Sequence, residues 1–236
     1  MNRRIFSTPV IIAALPILAA AVIAAFLTLG DKPPVVQYPV VAVLSYLLGS
    51  VPVGYLLLRA RSGVDVRDYG SGRTGMSNVL RTGGGKLAAV TLALDIAKGA
   101  MAVVLARYLT GANGAEVAAG LLVLVGHNWP VFLQFKGGRG ILTALGGLSV
   151  MAPVPAVIAT VTFLVITFLS RYISLGSIIG VLFGCFSLLA LVLVGVYSST
   201  YALYALVGTA IIIWQHRDNI TRIREGKERR LGHPGH

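Results

Sequence analysis

Charged residues are scarce in this sequence, and acids are the scarcest of them. Only 12% of its 236 residues are charged, with 8 Asp and Glu in all, whereas a typical soluble domain carries about 25% charge. Acids this few and scattered cannot form an Asp-rich metal motif, so we expect no metal ion and no other cofactor. The single cysteine, Cys185, lies in an apolar run, which excludes a disulfide framework and a cysteine-based metal site.

Long apolar runs dominate what is present. Hydrophobic residues make up 56% of the chain, and the mean hydropathy is +0.82. Runs of about 20 apolar residues can cross a bilayer as helices, so the sequence predicts an all-α polytopic membrane protein. The first run follows Arg3 and Arg4 and is a signal anchor or a cleaved signal peptide; its length favours the anchor. The runs cover residues 6–30, 38–58, 87–109, 115–133, 141–170, 174–196 and 199–215.

The run at 141–170 contains two prolines and is long enough for one tilted helix or for two short ones. The basic loops decide between them, because Lys and Arg collect on the cytoplasmic side of a membrane. Only a hairpin that turns at 151–155 places both strongly basic segments, 59–86 and 216–230, inside the cell. We therefore expect eight hydrophobic segments with both termini in the cytoplasm.

Four polar segments fall on the cytoplasmic face under this topology. They are residues 59–86, the turn 134–140 (QFKGGRG), Arg171–Ser174 and 214–231. The formal charge of +12 fits a positive-inside bias and an anionic leaflet or substrate better than it fits nucleic acid. Basic loops alone explain the charge. They do not explain the glycines, whose backbone N–H groups can approach an anion closely.

The stretch GSGRTGMSNVLRTGGG, residues 70–85, has the composition of a phosphate site. Its glycines permit tight turns with exposed N–H donors, its hydroxyl and amide side chains add donors, and its arginines add charge in a fork that suits phosphate. The GxxxxGK[ST] motif of a P-loop is absent, and a flexible cytoplasmic loop is the alternative. The candidate ligands are Gly70, Ser71, Gly72, Arg73, Ser77, Asn78 and Arg81.

A second glycine-rich turn, FKGGRG, precedes the apolar run that begins at residue 141. A helix N-terminus beside such a turn is a natural anion site, because its N–H groups and its dipole both favour negative charge. The alternative is a tight basic turn that binds nothing. The candidate ligands are Lys136, Gly137, Gly138 and Arg139.

Ionisable groups also lie within or at the end of apolar runs. Asp95 and Lys98 are three residues apart on one helix face, and they form a structural ion pair or bring Lys98 to the site. His127 is either a buried structural residue or, because it lies near FKGGRG, part of the site. His216 ends the last run, and the Arg-rich amphipathic stretch after it suits an anionic lipid surface.

Six motifs stand in order along the chain: GSVPVGYLLLR, GSGRTGMSNVLRTGGGK, LDIAKGA, GHNWPVFLQFKGGRGILTALGG, SRYISLGS and HRDNITRIREGKERRLG. Together they resemble the bacterial membrane acyl-phosphate:glycerol-3-phosphate acyltransferases over about residues 44–232. The resemblance implies a seven-helix core with its site at the cytoplasmic face, here with one extra N-terminal hydrophobic helix. It divides the chain into an anchor or extra transmembrane helix at 1–36, an acyltransferase domain at 37–232 and a tail at 233–236. His233 and His236, in that tail, are expected to have no role.

The resemblance also implies a reaction. A fatty acyl-phosphate gives its acyl group to the 1-hydroxyl of glycerol 3-phosphate, which yields lysophosphatidic acid and inorganic phosphate. Acyl-CoA and acyl carrier protein are not donors in this family. The His-x4-Asp pair of other glycerol-phosphate acyltransferases is absent, because Phe132 and Thr221 stand five residues after His127 and His216. The implied partners are the two substrates and membrane lipids, with no nucleic acid, and the implied state is a monomer in the bacterial plasma membrane.

Residue roles follow from the same resemblance. The reaction must bring two anions together against their repulsion, which is a task of proximity and electrostatics. A substrate phosphate accepts the proton in this family; His216 is the competing base and His127 a weaker one. The implied catalytic residues are Ser71, Arg81, His216 and Asn219. The substrate-binding set consists of the glycine-rich candidates above together with Lys98, His127, Ser174 and Glu228.

The chain departs from the family pattern GSGN-x-GATN at Arg73, Met76 and Ser77, and Arg139 replaces the Lys of KGGKG. Ser77 and Arg139 keep the donors, whereas Arg73 adds bulk and charge that either tighten anion binding or shift the substrate. Two other functions stay open: a transporter of a phosphorylated solute, and an inactive or altered-substrate paralogue. A transporter predicts inverted repeats and a midplane site, but no repeat is visible and the polar residues favour the cytoplasmic edge.

Overall fold

The computed structural model describes residues 7–231, and these residues form helices joined by short turns, without strands. The expectations for Arg3, Arg4 and the tail at 233–236, with His233 and His236, lie outside the described residues. The chain divides at Gly147–Leu148 into two compact units. This boundary falls inside a helix rather than in a linker.

The first unit contains five helices and the larger part of a sixth. Two short 3-10 turns, Val66–Asp68 and Val131–Leu133, lie in its connections. The helices are α1 (Thr8–Thr28), α2 (Pro34–Ser50), α3 (Val53–Ser62), α4 (Met76–Thr110), α5 (Asn113–Asn128) and α6 (Ile141–Met151).

The second unit continues from the end of α6 and ends with a short helix that follows a longer one almost directly. His216 is the single residue between these last two helices. The helices are α7 (Pro153–Ser170), α8 (Ile173–Leu193), α9 (Tyr201–Gln215) and α10 (Arg217–Arg224).

The helices have the length and composition of a membrane protein. Within residues 7–231, six helical stretches are long and apolar enough to cross a membrane, and α6 and α9 are shorter apolar helices. The all-α polytopic class is therefore confirmed. The break expected near residues 151–155 is also present, because α6 ends at Met151 and α7 begins at Pro153, a residue that suits the first turn of a helix and not its interior. The number of spans and the side of each loop stay predictions.

The run expected at 38–58 is broken at Val51 and Pro52, between α2 and α3. Another boundary prediction is wrong. We expected residues 59–86 to be a polar connection, but α4 begins at Met76 and includes the second half of the glycine-rich stretch. The reason is packing, since Val79 in the first turns of α4 is fully buried in an apolar cluster with Tyr55 and Leu58 of α3. Gly84 interrupts the helix with φ +82° and ψ 177°, a backbone conformation that glycine adopts readily.

Close helix contacts in each unit depend on glycine. In the first unit, a methyl group on Gly49 of α2 would collide with the carbonyl of Val123 in α5. In the second unit, α8 carries glycines at every fourth position, and α7 packs on them. Small residues let membrane helices approach closely, where dispersion and hydrogen bonding hold them together. The α8 glycines are Gly176, Gly180 and Gly184.

Candidate functional site

Asn78 organises the glycine-rich loop that precedes α4. Its side chain is fully buried, and its Oδ1 accepts a hydrogen bond from the backbone N–H of Ser71 at 3.0 Å. Its Nδ2 lies 2.9–3.0 Å from the carbonyl oxygens of Val66, Tyr69 and Arg73. We expected this amide to donate to a phosphate, but it donates to the loop's own carbonyls. Asn78 therefore holds the loop in shape from beneath.

The glycines of the loop are required by this arrangement. Gly70 and Gly72 have φ values of +55° and +66°, in the left-handed region that favours glycine. A side chain on Gly70 would also collide with the Asn78 amide oxygen. Specific backbone and side-chain contacts thus define the shape of the loop.

The start of α4 has features that favour an anion. Gly75 is the N-cap and supplies no side-chain acceptor, and the first turn contains no acid. The first N–H groups of a helix have no partner within it, and they favour an anion. The Ser71 hydroxyl oxygen is buried and has no hydrogen-bond partner within residues 7–231. Arg73, Ser77 and Arg81 are half-buried in the same segment.

An ion pair between Asp65 and Arg67, which sequence reasoning missed, lies at the start of this loop. Asp65 is buried, and its carboxylate accepts hydrogen bonds from the backbone N–H and the guanidinium of Arg67 at 2.8–3.0 Å. These bonds raise the pKa of Arg67 above its ordinary value, so the guanidinium stays charged. Arg67 also lies over the ring of Tyr55 at 5.5 Å and donates to the carbonyl of Leu133 at 3.4 Å. The bond to Leu133 links the start of the loop to the turn that precedes FKGGRG.

The FKGGRG turn is fastened to the end of α5. The N–H groups of Gly137 and Gly138 donate to the carbonyls of Asn128 and His127 at 3.2 and 3.1 Å. A methyl group on Gly138 would collide with the His127 ring. Lys136 is exposed and Arg139 is half-buried. These contacts hold the turn against the C-terminal end of α5.

Two non-glycine residues before Lys136 have left-handed backbones, which sequence reasoning missed. Gln134 and Phe135 have φ values of +56° and +60°. Each such residue costs on the order of 1–3 kcal/mol and persists only where its surroundings impose it, often at functional sites. Nothing in the residue types signals this conformation, because neither is glycine or asparagine.

The expected pair of Asp95 and Lys98 is present and buried. The Lys98 ammonium lies 2.9 Å from the Asp95 carboxylate and donates to the carbonyls of Gly49 and Val51 at 3.1 Å. His127 Nδ1 lies 3.6 Å from the same carboxylate. Lys98 thereby ties α4 to the junction of α2 and α3, as a structural pair would. Its role in binding substrate stays a prediction.

A narrow cleft connects this buried group to the loop. It is too narrow to hold a water molecule. Thr74 of the loop lines it together with Lys98 and His127, so these two predicted residues lie beside the glycine-rich segment. The other lining residues are Gly49, Ser50, Val51, Pro52, Val53, Asp95 and Pro130.

Glu228 is the centre of the polar cluster in the second unit. One carboxylate oxygen accepts from the Ser174 hydroxyl at 2.9 Å and from the Asn219 amide at 2.8 Å, and the other accepts from Arg222 at 2.8 Å. The carboxylate is almost fully buried, with 5% of the side chain exposed. Three predicted residues from separate parts of the sequence therefore meet directly.

His216 is fixed at the junction of α9 and α10. The residue is buried, and its Nδ1 lies 2.8 Å from the carbonyl oxygen of Ile212. The stretch after it forms α10, as its amphipathic pattern predicts. Nearby, Arg230 donates to the Tyr172 hydroxyl at 3.2 Å, which raises the pKa of this exposed guanidinium. Segments 171–174 and 214–231 are thus in contact within this unit.

No group of three or more His, Cys, Asp or Glu side chains within residues 7–231 is arranged to hold a metal ion. The polar groups of the first unit's glycine-rich segments and of the Glu228 cluster are hydroxyls, amides, guanidiniums, ammonium groups and helix N-termini. Such groups bind anions and stabilise developing negative charge.

Known proteins are similar to this chain in sequence and in fold. Residues 39–226 match the family described as glycerol-3-phosphate acyltransferase. A Dehalococcoides mccartyi protein named glycerol-3-phosphate acyltransferase 3 is 44% identical over 203 residues, which cover 81% of this chain and 94% of the relative. A Clostridioides difficile protein named glycerol-3-phosphate acyltransferase is 37% identical over 201 residues, covering 83% and 96%.

A similar solved structure carries a related description. It is the glycerol 3-phosphate form of PlsY, described as an integral membrane glycerol 3-phosphate acyltransferase. The TM-score is 0.77 at 35% sequence identity, and the match covers 83% of this chain and 96% of the other. The lysophosphatidic acid form of the same protein matches with a TM-score of 0.75.

Proposed function

This chain belongs to the glycerol-3-phosphate acyltransferase family, and from that premise we propose that it acylates the 1-hydroxyl of glycerol 3-phosphate to give lysophosphatidic acid. The observation that carries the proposal is the loop at the start of α4. A buried amide shapes it, the helix N-terminus behind it has neither a capping side chain nor an acid, and the buried Ser71 hydroxyl has no bonding partner among the described residues. This arrangement suits the phosphate of the acceptor.

The acyl donor in this proposal is a fatty acyl-phosphate. The hydroxyl oxygen of the acceptor attacks the acyl carbonyl carbon, the bond from that carbon to the phosphate oxygen breaks, and inorganic phosphate leaves with the bonding electrons. The mixed anhydride is already activated, so no acyl-enzyme is needed. The protein has to hold two anions together and to stabilise the charge that develops on the carbonyl oxygen. Arg81, Lys136 and Arg139 supply the positive charge.

The hydroxyl proton goes to a substrate phosphate in this mechanism. The enclosed position of His127, between Asp95 and Gly138, argues for a supporting role rather than for a base. His216 is the competing base, and its ring orientation is fixed through Nδ1. Within the second unit, Ser174, Asn219 and Glu228 form one hydrogen-bonded group, in which Glu228 holds the other two in place.

The substitutions in the family pattern are compatible with activity. The loop uses the carbonyl oxygen of Arg73, which any residue supplies, as an acceptor for Asn78. Arg73 therefore preserves the structural requirement of the position and adds charge beside the proposed phosphate site. We propose that it is a tolerated variation and that the acceptor is unchanged.

The proposed location is the bacterial plasma membrane, with the site and the C-terminus on the cytoplasmic side and with the monomer as the working unit. This orientation follows from the basic segments 59–86 and 216–230. It also suits a phosphorylated, water-soluble acceptor that arrives from the cytosol.

The test compares acyl donors and site variants in purified protein reconstituted in lipid. Palmitoyl-phosphate should support lysophosphatidic acid formation, whereas palmitoyl-CoA should not. Arg81→Ala and Lys136→Ala should raise the KM for glycerol 3-phosphate or abolish turnover. Arg61→Ala, which removes an exposed charge from α3, is the control and should retain the wild-type kinetics. Equal use of palmitoyl-CoA, or unchanged kinetics in both site variants, would overturn the assignment.

A further inference from the structure

Helix α1 lies before the residues that match the family, which begin at residue 39. The family match therefore does not include α1, and 81% of this chain is enough to cover 94% of the Dehalococcoides protein. The sequence alone leaves its role open between a membrane anchor and a removable signal. Within the first unit, one face of α1 is buried against other helices.

The first turns of α1 enter the core beneath the glycine-rich loop. Ile11 has no exposed surface, and it belongs to the same apolar cluster as Val66 of the loop and Val79 of α4. Leu133, from the turn before FKGGRG, is in this cluster too. Buried apolar side chains are close-packed, so loss of one leaves a cavity or forces its neighbours to move. Ile11 therefore packs in one core with residues of the loop, of α4 and of the turn before FKGGRG.

A polar contact reaches the same region. The Thr8 hydroxyl lies 2.8 Å from the Tyr55 hydroxyl, and the Tyr55 ring lies beneath the Arg67 guanidinium. Arg67 in turn is bonded to Asp65 and to the carbonyl of Leu133. A continuous series of contacts thus runs from the start of α1 to the start of the loop and to the turn that precedes FKGGRG.

The rest of α1 packs along the core helices. Leu18, Val22 and Ala25 are buried in a second cluster with residues of α2, α4 and α5. The ring of Phe26 lies 5.1 Å from that of Tyr108 in α4. The opposite face, which includes Ile17 with 71% of its surface exposed, contacts none of these helices closely enough to be covered. This is the pattern of a helix integrated into the protein on one face and open to lipid on the other.

We propose that α1 is retained in the mature protein as a working part of the acyltransferase, in which Ile11 and Thr8 position the phosphate-binding loop through the core and through Tyr55. The inference rests on the proposed function for its kinetic consequence only. Thr8 and Ile11 are positioning residues and do not touch substrate. Their loss loosens the loop, which weakens the binding of glycerol 3-phosphate and leaves the binding of the acyl chain unchanged.

The experiment uses the full chain, purified from bacterial membranes and reconstituted in lipid nanodiscs. Ile11→Ala and Thr8→Val are the test variants, Thr8→Ser is the conservative variant that keeps the hydroxyl, and Ile17→Ala is the control on the exposed face. The readouts are intact mass, amide hydrogen exchange in residues 66–73, and the KM for each substrate. Intact mass and hydrogen exchange do not depend on activity, so they test the inference even if the proposed function fails.

The expected mass includes α1. Ile11→Ala should speed exchange in residues 66–73 and raise the KM for glycerol 3-phosphate by roughly tenfold, which corresponds to about 1.4 kcal/mol, with the KM for palmitoyl-phosphate unchanged. Thr8→Val should act in the same direction, and Thr8→Ser and Ile17→Ala should match the wild type. The inference is overturned by a mature protein that lacks α1, or by test variants with the exchange and kinetics of Ile17→Ala. A wild type that forms no lysophosphatidic acid while Ile11→Ala still loosens residues 66–73 overturns the proposed function alone.

Discussion

Replacement of Asn78 by alanine tests whether the glycine-rich loop has a structure of its own. The amide oxygen accepts one hydrogen bond from Ser71, and the two amide protons serve three carbonyl oxygens at 2.9–3.0 Å. The Ser71 N–H and the two amide protons of Asn78 make three hydrogen bonds, which at about 1 kcal/mol each amount to about 3 kcal/mol. That energy corresponds to roughly a hundredfold change in the ratio of ordered to open loop. Because the side chain lies beneath the loop, its loss should affect the loop before it affects the rest of the fold.

Hydrogen exchange of residues 66–73 in nanodiscs measures this ratio directly, since protection of an amide reports the free energy of local opening. Asn78→Ala should lower protection there by roughly a hundredfold and should impair acyl transfer in parallel. Thr82→Ala is a matched control, because the Thr82 hydroxyl donates to the Asn78 carbonyl within the same helix and makes no other hydrogen bond among residues 7–231. Unchanged protection in Asn78→Ala, together with a selective rise in the KM for glycerol 3-phosphate, would show that Asn78 contacts substrate and would refute the reasoning.

Asn78→Asp sharpens the same argument. The carboxylate has nearly the shape of the amide and can still accept from Ser71, but its second oxygen would face three carbonyl oxygens. Repulsion should make this variant less protected in residues 66–73 than Asn78→Ala. The reverse order would mean that the amide does not donate to these carbonyls.

The remaining predictions concern the FKGGRG turn of the first unit and the Glu228 cluster of the second. Gly138→Ala should strongly reduce acyl transfer, because the added methyl group collides with the His127 ring. Gly85→Ala is the control and should leave activity unchanged, because Gly85 has open space around it. Similar losses in both variants would argue against a specific contact at Gly138. Glu228→Gln should lower thermal stability in detergent by about 1–3 kcal/mol, since the amide no longer gives Arg222 a charged acceptor. Glu225→Gln breaks only an exposed ion pair and should change the melting temperature little; equal shifts in both glutamate variants would contradict the buried role.

Hydropathy was sufficient to predict an all-helical membrane core, because apolar runs separate from polar ones in this chain. The prolines of the run 141–170 left one helix or two open, and the placement of the basic loops favoured two; the break between α6 and α7 is present. The start of α4 could not be predicted from the sequence. Residues 76–86 contain three consecutive glycines and look like a loop, but burial of Val79 against α3 overrides this local preference.

Composition located the polar segments, and the family resemblance supplied Ser174, Asn219 and Glu228 as site residues, but neither gave the direction of each side chain. Only the fold shows that Glu228 accepts from both of the others. Asn78 was predicted to donate outward, and it donates inward, because a side-chain amide two residues into a helix can turn either way. Arg67 was missed, although the pattern Asp-x-Arg just before a glycine-rich stretch is a readable signal for a locally paired arginine.

The most direct test of the central claim is the stoichiometry of the reaction in purified protein reconstituted in lipid. Palmitoyl-phosphate is supplied with and without glycerol 3-phosphate, and inorganic phosphate and lysophosphatidic acid are measured together. The account predicts that phosphate release requires glycerol 3-phosphate and that one lysophosphatidic acid forms for each phosphate released. Release of phosphate without an acceptor, or the absence of lysophosphatidic acid from a folded protein given both substrates, would contradict it.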